Sequence, residues 1–214
     1  MVSPTALLLL LLVSPLPTTS FGQSGENRGD KRAEGSKCGP LSGQVFRCPT
    51  FAFSVKVPFG WVDRSEQMRA TSESASEGSA QKLASSSRSE VLLAVFEHPP
   101  EVVGETINRA IVISVERTAD YPAIKSASDY FGPLTDVAGE RGFRLTGEPY
   151  ALVRGAQRLM RGNFSRQQGK LTMWQSSLVM IENRSILLFT LIAASEQEVD
   201  DLIAQLNFYS ATRK

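Results

Sequence analysis

His98 is the only histidine in this chain of 214 residues. Its imidazole is the one side chain here whose ordinary proton affinity suits general acid–base work near neutral pH. It lies in Glu97-His98-Pro99-Pro100, at the end of an apolar run, where loop residues often collect at sites. No Gly-x-Ser-x-Gly elbow, phosphate-cradling glycine loop or dinucleotide fingerprint accompanies it. His98 therefore reads first as an exposed or locally bonded loop residue, and no catalytic residue is assigned. A lone imidazole also excludes any metal centre that needs two. Glu196, Glu198, Asp200 and Asp201 could suggest calcium. On a helix, however, Glu196 and Asp200 share one wet face while their neighbours point elsewhere, and calcium takes about six to eight oxygens. No metal and no cofactor are expected.

Three further residues are candidates for binding. Trp61 is a large apolar anchor with a polar handle, suited to the core or to a ligand pocket. Arg154 and Arg161 belong to a basic cluster with Arg158, Arg166 and Lys170. Strand periodicity sends Arg158 to the opposite face from Arg161, so the cluster reads as a wet edge, with a partner-binding surface as the sharper alternative. Asn163-Phe164-Ser165 and Asn183-Arg184-Ser185 are glycosylation sequons, the second in an expected turn. Arg28-Gly29-Asp30 matches an adhesion tripeptide but arises easily by chance in a mixed-charge segment. The formal charge of +1 argues against a nucleic-acid partner, which would call for an excess of Lys and Arg.

The compartment is read from the first residues. Leu7 to Leu12 are uninterrupted leucine, followed by Pro15, Pro17 and small residues. That run is too short for a bilayer, which needs about 20 apolar residues, and has the length of a signal-peptide core. Residues 1–22 are expected as a signal peptide, although no Lys or Arg precedes the leucines. The mature protein would then be secreted or periplasmic, without a stable membrane anchor. In an oxidising compartment the only two cysteines, Cys38 and Cys48, read as a local structural disulfide.

Around these residues stand the elements that must position them. Residues 23–49 are expected as a flexible arm carrying the disulfide, residues 71–89 as a serine-rich mobile loop, and 211–214 as a tail. Phe51, Phe53, Val55 and Val57 alternate with smaller or polar residues as a strand, which Pro58-Phe59-Gly60-Trp61 then turns. Further strands are expected at 91–97, 109–117, 157–164, 171–181 and 185–193, the last two joined by a turn at Asn183. Residues 185–193 (SILLFTLIA) are apolar on both faces, so both must be covered. Ser195 and Glu198 form a capping box before the stripe Val199, Leu202, Ile203 and Leu206. A second helix is expected within 126–141, with Tyr130, Phe131, Leu134, Val137 and Ala138 as its stripe and a kink or start at Pro133.

This order, with Phe53 to Trp61 (FSVKVPFGW), Ala127 to Leu134, Gly155-Ala156 before a strand, and Ser185 to Phe208, resembles the PsbP-like superfamily. That superfamily includes the extrinsic PsbP subunit of photosystem II and the Ran guanine-nucleotide release factor. The resemblance spans residues 50–210 and implies an α+β fold, an α/β/α sandwich with a mainly antiparallel sheet of about six strands and helices on both faces. It also implies a docking module rather than an enzyme. No photosystem-specific residue set carries over, and Ran binding is incompatible with export. Three functions stand: an exported non-catalytic module binding a protein partner, a small-ligand carrier with a pocket near Trp61, and a hydrolase using His98.

Overall fold

A computed structural model describes residues 38–77, 89–101 and 106–210. The expected signal peptide, residues 23–37 of the arm, residues 78–88 of the serine-rich stretch, and the tail lie outside the described residues. The elements run β1 (Val45–Cys48), β2 (Phe53–Lys56), β3 (Val62–Asp63), α1 (Ser65–Glu77), β4 (Glu90–Phe96), β5 (Ala110–Arg117) and α2 (Phe131–Glu140). They continue with β6 (Arg144–Leu145), β7 (Tyr150–Arg154), β8 (Gln157–Gln168), β9 (Leu171–Glu182), β10 (Ser185–Ala193), α3 (Glu196–Ala204) and β11 (Leu206–Phe208).

An eight-stranded sheet has the order β3-β4-β5-β10-β9-β8-β6, with β7 also paired to β8. Every pairing is antiparallel. This corrects the expectation of about six strands. β3 and β6 are two residues each, too short to show any periodicity. A separate three-stranded sheet, β1-β2-β11, was not foreseen. Its last strand begins at Leu206, which extends the apolar stripe of α3 and so reads as helix in the sequence.

The turns of the β8-β9-β10 meander follow from their residues. Asn183 and Arg184 both take positive φ (50° and 60°), the two-residue turn that matches strand twist. Gln168 pairs with Leu171 across Gly169, whose φ is 63°.

Side chains alternate along β10. Leu187, Phe189 and Leu191 enter one apolar cluster, while Ile186 enters another against which Leu188 packs. The first cluster takes in Phe53 and Val55 of β2, Phe208 of β11, and Val199, Leu202 and Ile203 of α3. Burying each of those α3 side chains stabilises by about 1.5–3 kcal/mol. Ser195 caps this helix by accepting from the Glu198 N–H (3.2 Å), and Glu198 reaches back to accept from the Ala194 N–H (3.0 Å). The second cluster joins Phe164 and Val179 to Tyr130, Phe131, Ala138 and Phe143 around α2. That helix starts at Phe131, two residues before Pro133, and Val137 is exposed rather than part of the packed stripe.

The expected loop at 71–89 is corrected at its start, because α1 runs through Glu77. No apolar stripe announces α1; hydrogen bonds to β4 hold it. Ser65 donates through its N–H and Oγ to Asp63 Oδ1 (2.8 and 2.6 Å) and accepts from the Ala94 N–H (2.9 Å). Arg69 donates to the Val91 and Leu92 carbonyls (2.6 and 3.1 Å). The expected arm likewise ends early. Cys48, bonded to Cys38, closes β1, and Gly39 N donates to Arg47 O (3.0 Å), so residues 38–42 lie along that strand.

Candidate interaction surface

The pairing of Val62 with Phe96 brings the turn Pro58–Gly60 and Trp61 beside the end of β4, where Glu97 and His98 follow. Gly60 takes a φ of 83°, which permits the sharp return. The turn leaves Phe59 at its tip, 88% exposed. Trp61 is half-buried and packs against the first core cluster. The Arg109 guanidinium carbon lies 6.0 Å from the centre of the Trp61 ring.

Arg109 also grips Glu97 with two parallel bonds, Nε to Oε2 at 2.9 Å and Nη2 to Oε1. The bonded guanidinium holds the Glu97 carboxyl below its ordinary range, against the opposing push of burial. The same bond raises Arg109. His98 is exposed. Its backbone is clamped by Asn108, whose Oδ1 accepts from the His98 N–H (2.9 Å) and whose Nδ2 donates to the His98 carbonyl (2.8 Å). The outcome is a corner that carries an exposed phenylalanine, a half-buried tryptophan, a bonded ion pair and an exposed imidazole.

Two of the four candidate binding residues, Trp61 and His98, thus flank the same strand pair, one residue before Val62 and two after Phe96. Arg154 and Arg161 lie elsewhere, on the side of the sheet covered by α3. Arg161, with its side chain only 11% exposed, places Nη2 2.7 Å from Asp200 Oδ1 on α3. Its Nε donates to Asn163 Oδ1 (2.8 Å) and Ser176 Oγ (3.0 Å), and its guanidinium lies 5.8 Å from the Tyr150 ring. These contacts tie α3 to β8 and β9. Arg154 donates to the Ile203 carbonyl at the end of the same helix (3.3 Å). Asn163 of the first sequon is held inside this network, whereas Asn183 of the second sits in the exposed hairpin turn and donates to Thr50 O (3.0 Å).

Sequence reasoning passed over Phe59, Glu97, Asn108 and Arg109. A signal for the ion pair was present. Strands at 91–97 and 109–117, if antiparallel neighbours, bring a carboxylate at the end of one beside a guanidinium at the start of the other.

The cavities lie away from this corner. One of about 610 Å³ opens between the disulfide loop and α1, lined by Leu41, Arg64, Arg69 and Leu92 among others. Another of about 550 Å³ lies by the β9-β10 turn, lined by Arg117, Tyr121, Lys125 and Arg184 among others. Among the described residues, no group of three or more His, Cys, Asp or Glu side chains is placed to hold a metal ion, and no helix is long and apolar enough to cross a membrane.

Comparison with protein-family profiles and with curated proteins returns no match. Among solved structures, the chain is similar to cyanobacterial PsbP from Synechocystis, at 14% identity, over 80% of this chain and 95% of that one, with a TM-score of 0.48. It is similar to LpqN of Mycobacterium tuberculosis, described as involved in cell envelope biogenesis, at 12% identity over 72% and 82%, with a TM-score of 0.37. The Saccharomyces cerevisiae Ran-binding protein Mog1p is similar at 12% identity over 73% and 90%, with a TM-score of 0.36. At these identities and scores the likeness assigns no function.

Proposed function

We propose that this chain is an exported, non-catalytic protein-interaction module, an α/β/α sandwich with helices on both faces of its sheet, whose Phe59–Trp61 corner docks a protein partner outside the cytoplasm. The observation that supports this reading is Phe59, 88% exposed at the tip of a turn whose flanks are bonded, Val57 N–H to the Gln44 carbonyl and Val62 to Phe96 of β4. A phenylalanine held out in water gains by burial against another surface, and a pre-ordered loop keeps the entropy cost of docking low. The Glu97–Arg109 pair beside it offers orientation through its charged rim. The surroundings of His98 favour the same reading over hydrolysis, because its neighbour Glu97 is already committed to Arg109 and Asn108 bonds only its backbone. The two cavities described above are not lined by Trp61.

A photo-crosslinking side chain placed at position 59 tests the proposal in the native compartment, with position 171 as an exposed control. The expected result is one reproducible adduct from position 59 that is absent from position 171 and is suppressed by Arg109→Glu. No adduct, or equal capture from both positions, would sink the reading.

A further inference from the structure

β7 forms an outer margin of the main sheet, and its register decides what it offers. It pairs with β8 from Tyr150↔Arg161 to Arg154↔Gln157, closing across the two-residue turn Gly155-Ala156. A closing pair of this kind exchanges both backbone bonds, so Tyr150, Leu152 and Arg154 turn their N–H and C=O groups toward β8. Those of Ala151 and Val153 point away from the sheet. The parity holds farther along β8, where Asn163, an even number of residues from Gln157, accepts from the Thr146 N–H (2.7 Å) on the same side.

The other long margins carry covers. Residues 38–42 lie along β1, held by the Cys38–Cys48 bridge. Arg64 N, Ser65 and Arg69 occupy the backbone groups of β4. Among the described residues, no backbone bond reaches Ala151 or Val153 from outside the sheet, and the Val153 side chain is 69% exposed. An open, apolar strand edge is a template for another strand.

The sequence around this edge, Glu148-Pro149-Tyr150-Ala151-Leu152-Val153-Arg154, is acidic at one end and basic at the other. We propose that β7 pairs antiparallel with β7 of a second copy of this chain, about a two-fold axis at Leu152, joining two sheets into one. With that axis, Ala151 of each copy faces Val153 of the other, and these are the residues with outward N–H and C=O groups. Four backbone bonds form, and no inward group is disturbed. On the face that carries Tyr150, Leu152 and Arg154, the Tyr150 ring, which its own Arg161 already approaches at 5.8 Å, comes opposite the second copy's Arg154, which pairs with it on leaving its 3.3 Å bond to the Ile203 carbonyl. Glu148, two residues before Tyr150, falls on the diagonal from that arginine, within side-chain reach. A parallel self-pairing would instead stack glutamate on glutamate. Pro149, which has no N–H, and the Gly155 turn bound the edge, so the pairing is limited to these few residues. This surface is separate from the Phe59 corner and does not rest on the function proposed there.

So short an edge covers much less than the ~1,600 Å² of a standard interface, so the dimer is concentration-dependent. Sedimentation of the chain from about 5 µM to about 500 µM at low salt is expected to show a mass approaching twice the monomer. Ala151→Pro removes an outward donor without touching the β8 ladder and is expected to weaken association at least ~10-fold. Glu148→Arg and Arg154→Glu are each expected to weaken it about 3- to 10-fold, while the double variant recovers to within ~3-fold of the original chain. A fold damaged by substitution cannot give that recovery. A monomer at about 500 µM overturns the proposal, as does an Ala151→Pro chain that associates undiminished or a double variant no better than the singles. A synthetic peptide of residues 147–155 should compete with self-association. If a scrambled peptide of the same composition competes as well, the edge accepts foreign strands and the self-pairing is refuted.

Discussion

Gly162 sits in β8 beneath α2, and its missing side chain is what lets Phe131 close over the sheet. A Cβ at this position would lie 2.4 Å from Phe131 Cε1 and 2.9 Å from Cδ1. Ordinary carbon contacts lie at about 3.5–4.0 Å, so Gly162→Ala requires the ring to retreat by about 1 Å. Phe131 is buried at the first turn of α2 amid Tyr130, Phe143 and Phe164, which leaves little room for that retreat. Overpacking of this kind costs about 1–3 kcal/mol. Alanine returns about 0.4–1 kcal/mol by restricting the unfolded chain, so the net loss is at most about 2.6 kcal/mol and about 1.3 kcal/mol at mid-range. Urea unfolding followed by fluorescence should show the midpoint fall with the slope unchanged, and the Tm should drop by about 3–6 °C. Phe131→Leu in the same background relieves the clash, so the double variant should be more stable than the two single losses predict, by about 1 kcal/mol. A Gly162→Ala chain as stable as the original, or strictly additive losses, would refute the argument that the glycine exists to seat the ring.

Other outcomes follow from the same structure. Glu97 is held in its charged form by Arg109, so its contribution is present above the carboxyl's ordinary range and is lost as pH falls through the lowered value. Acid titration of stability should therefore be shallower in Glu97→Gln than in the original chain, and equal slopes would remove the pair from the account. Removing Arg161 as Arg161→Met strips Asn163, Ser176 and Asp200 of a shared partner and should cost about 2–3 kcal/mol, while Asp200→Asn costs under about 1 kcal/mol because that carboxylate is half in water. A double-mutant cycle by chemical denaturation measures the coupling, and a value near zero would contradict the tie between α3 and β8. Reducing Cys38–Cys48 should lower stability by about 3 kcal/mol in the chain-entropy picture and expose the edge of β1, read as faster amide exchange at Gly39, whose N–H donates to the Arg47 carbonyl. Unchanged exchange would show that residues 38–42 stay on β1 without the bridge.

The elements legible in the sequence are those whose signal is local. β4, β5, β9 and β10 announce themselves by apolar and β-branched runs, and α3 by Ser195, Glu198 and its stripe. α1 was hidden because its hold on the fold is tertiary: Ser65 and Arg69 bond to β4 across a gap that sequence spacing does not encode. The same applies to the site. Strand parity separated Arg158 from Arg161, but it did not say which face α3 covers, and that face is what pairs Arg161 with Asp200. At the Phe59 corner the turn was legible, while the exposure of its tip depends on how far Trp61 folds back against the core. Edge accounting is likewise invisible beforehand, since β7 becomes a margin only once β8 has β9 on its other side.

The pairing of β2 with β11 sets the timing of assembly. Phe53, fully buried against Phe189 and Phe208, has its strand partner near the far end of the chain, and Tyr209 bonds back to the Phe53 carbonyl across a separation of 156 residues. The β8-β9-β10 meander, by contrast, closes through two-residue turns and forms as soon as its strands exist. Contacts of so long a sequence separation form late, so Phe53 of β2 lacks its cover until that partner arrives. α3 and β11 supply that cover. Loss of β11 would take Leu206 and Phe208 away from Val55 and Phe53, the pairs it makes with β2.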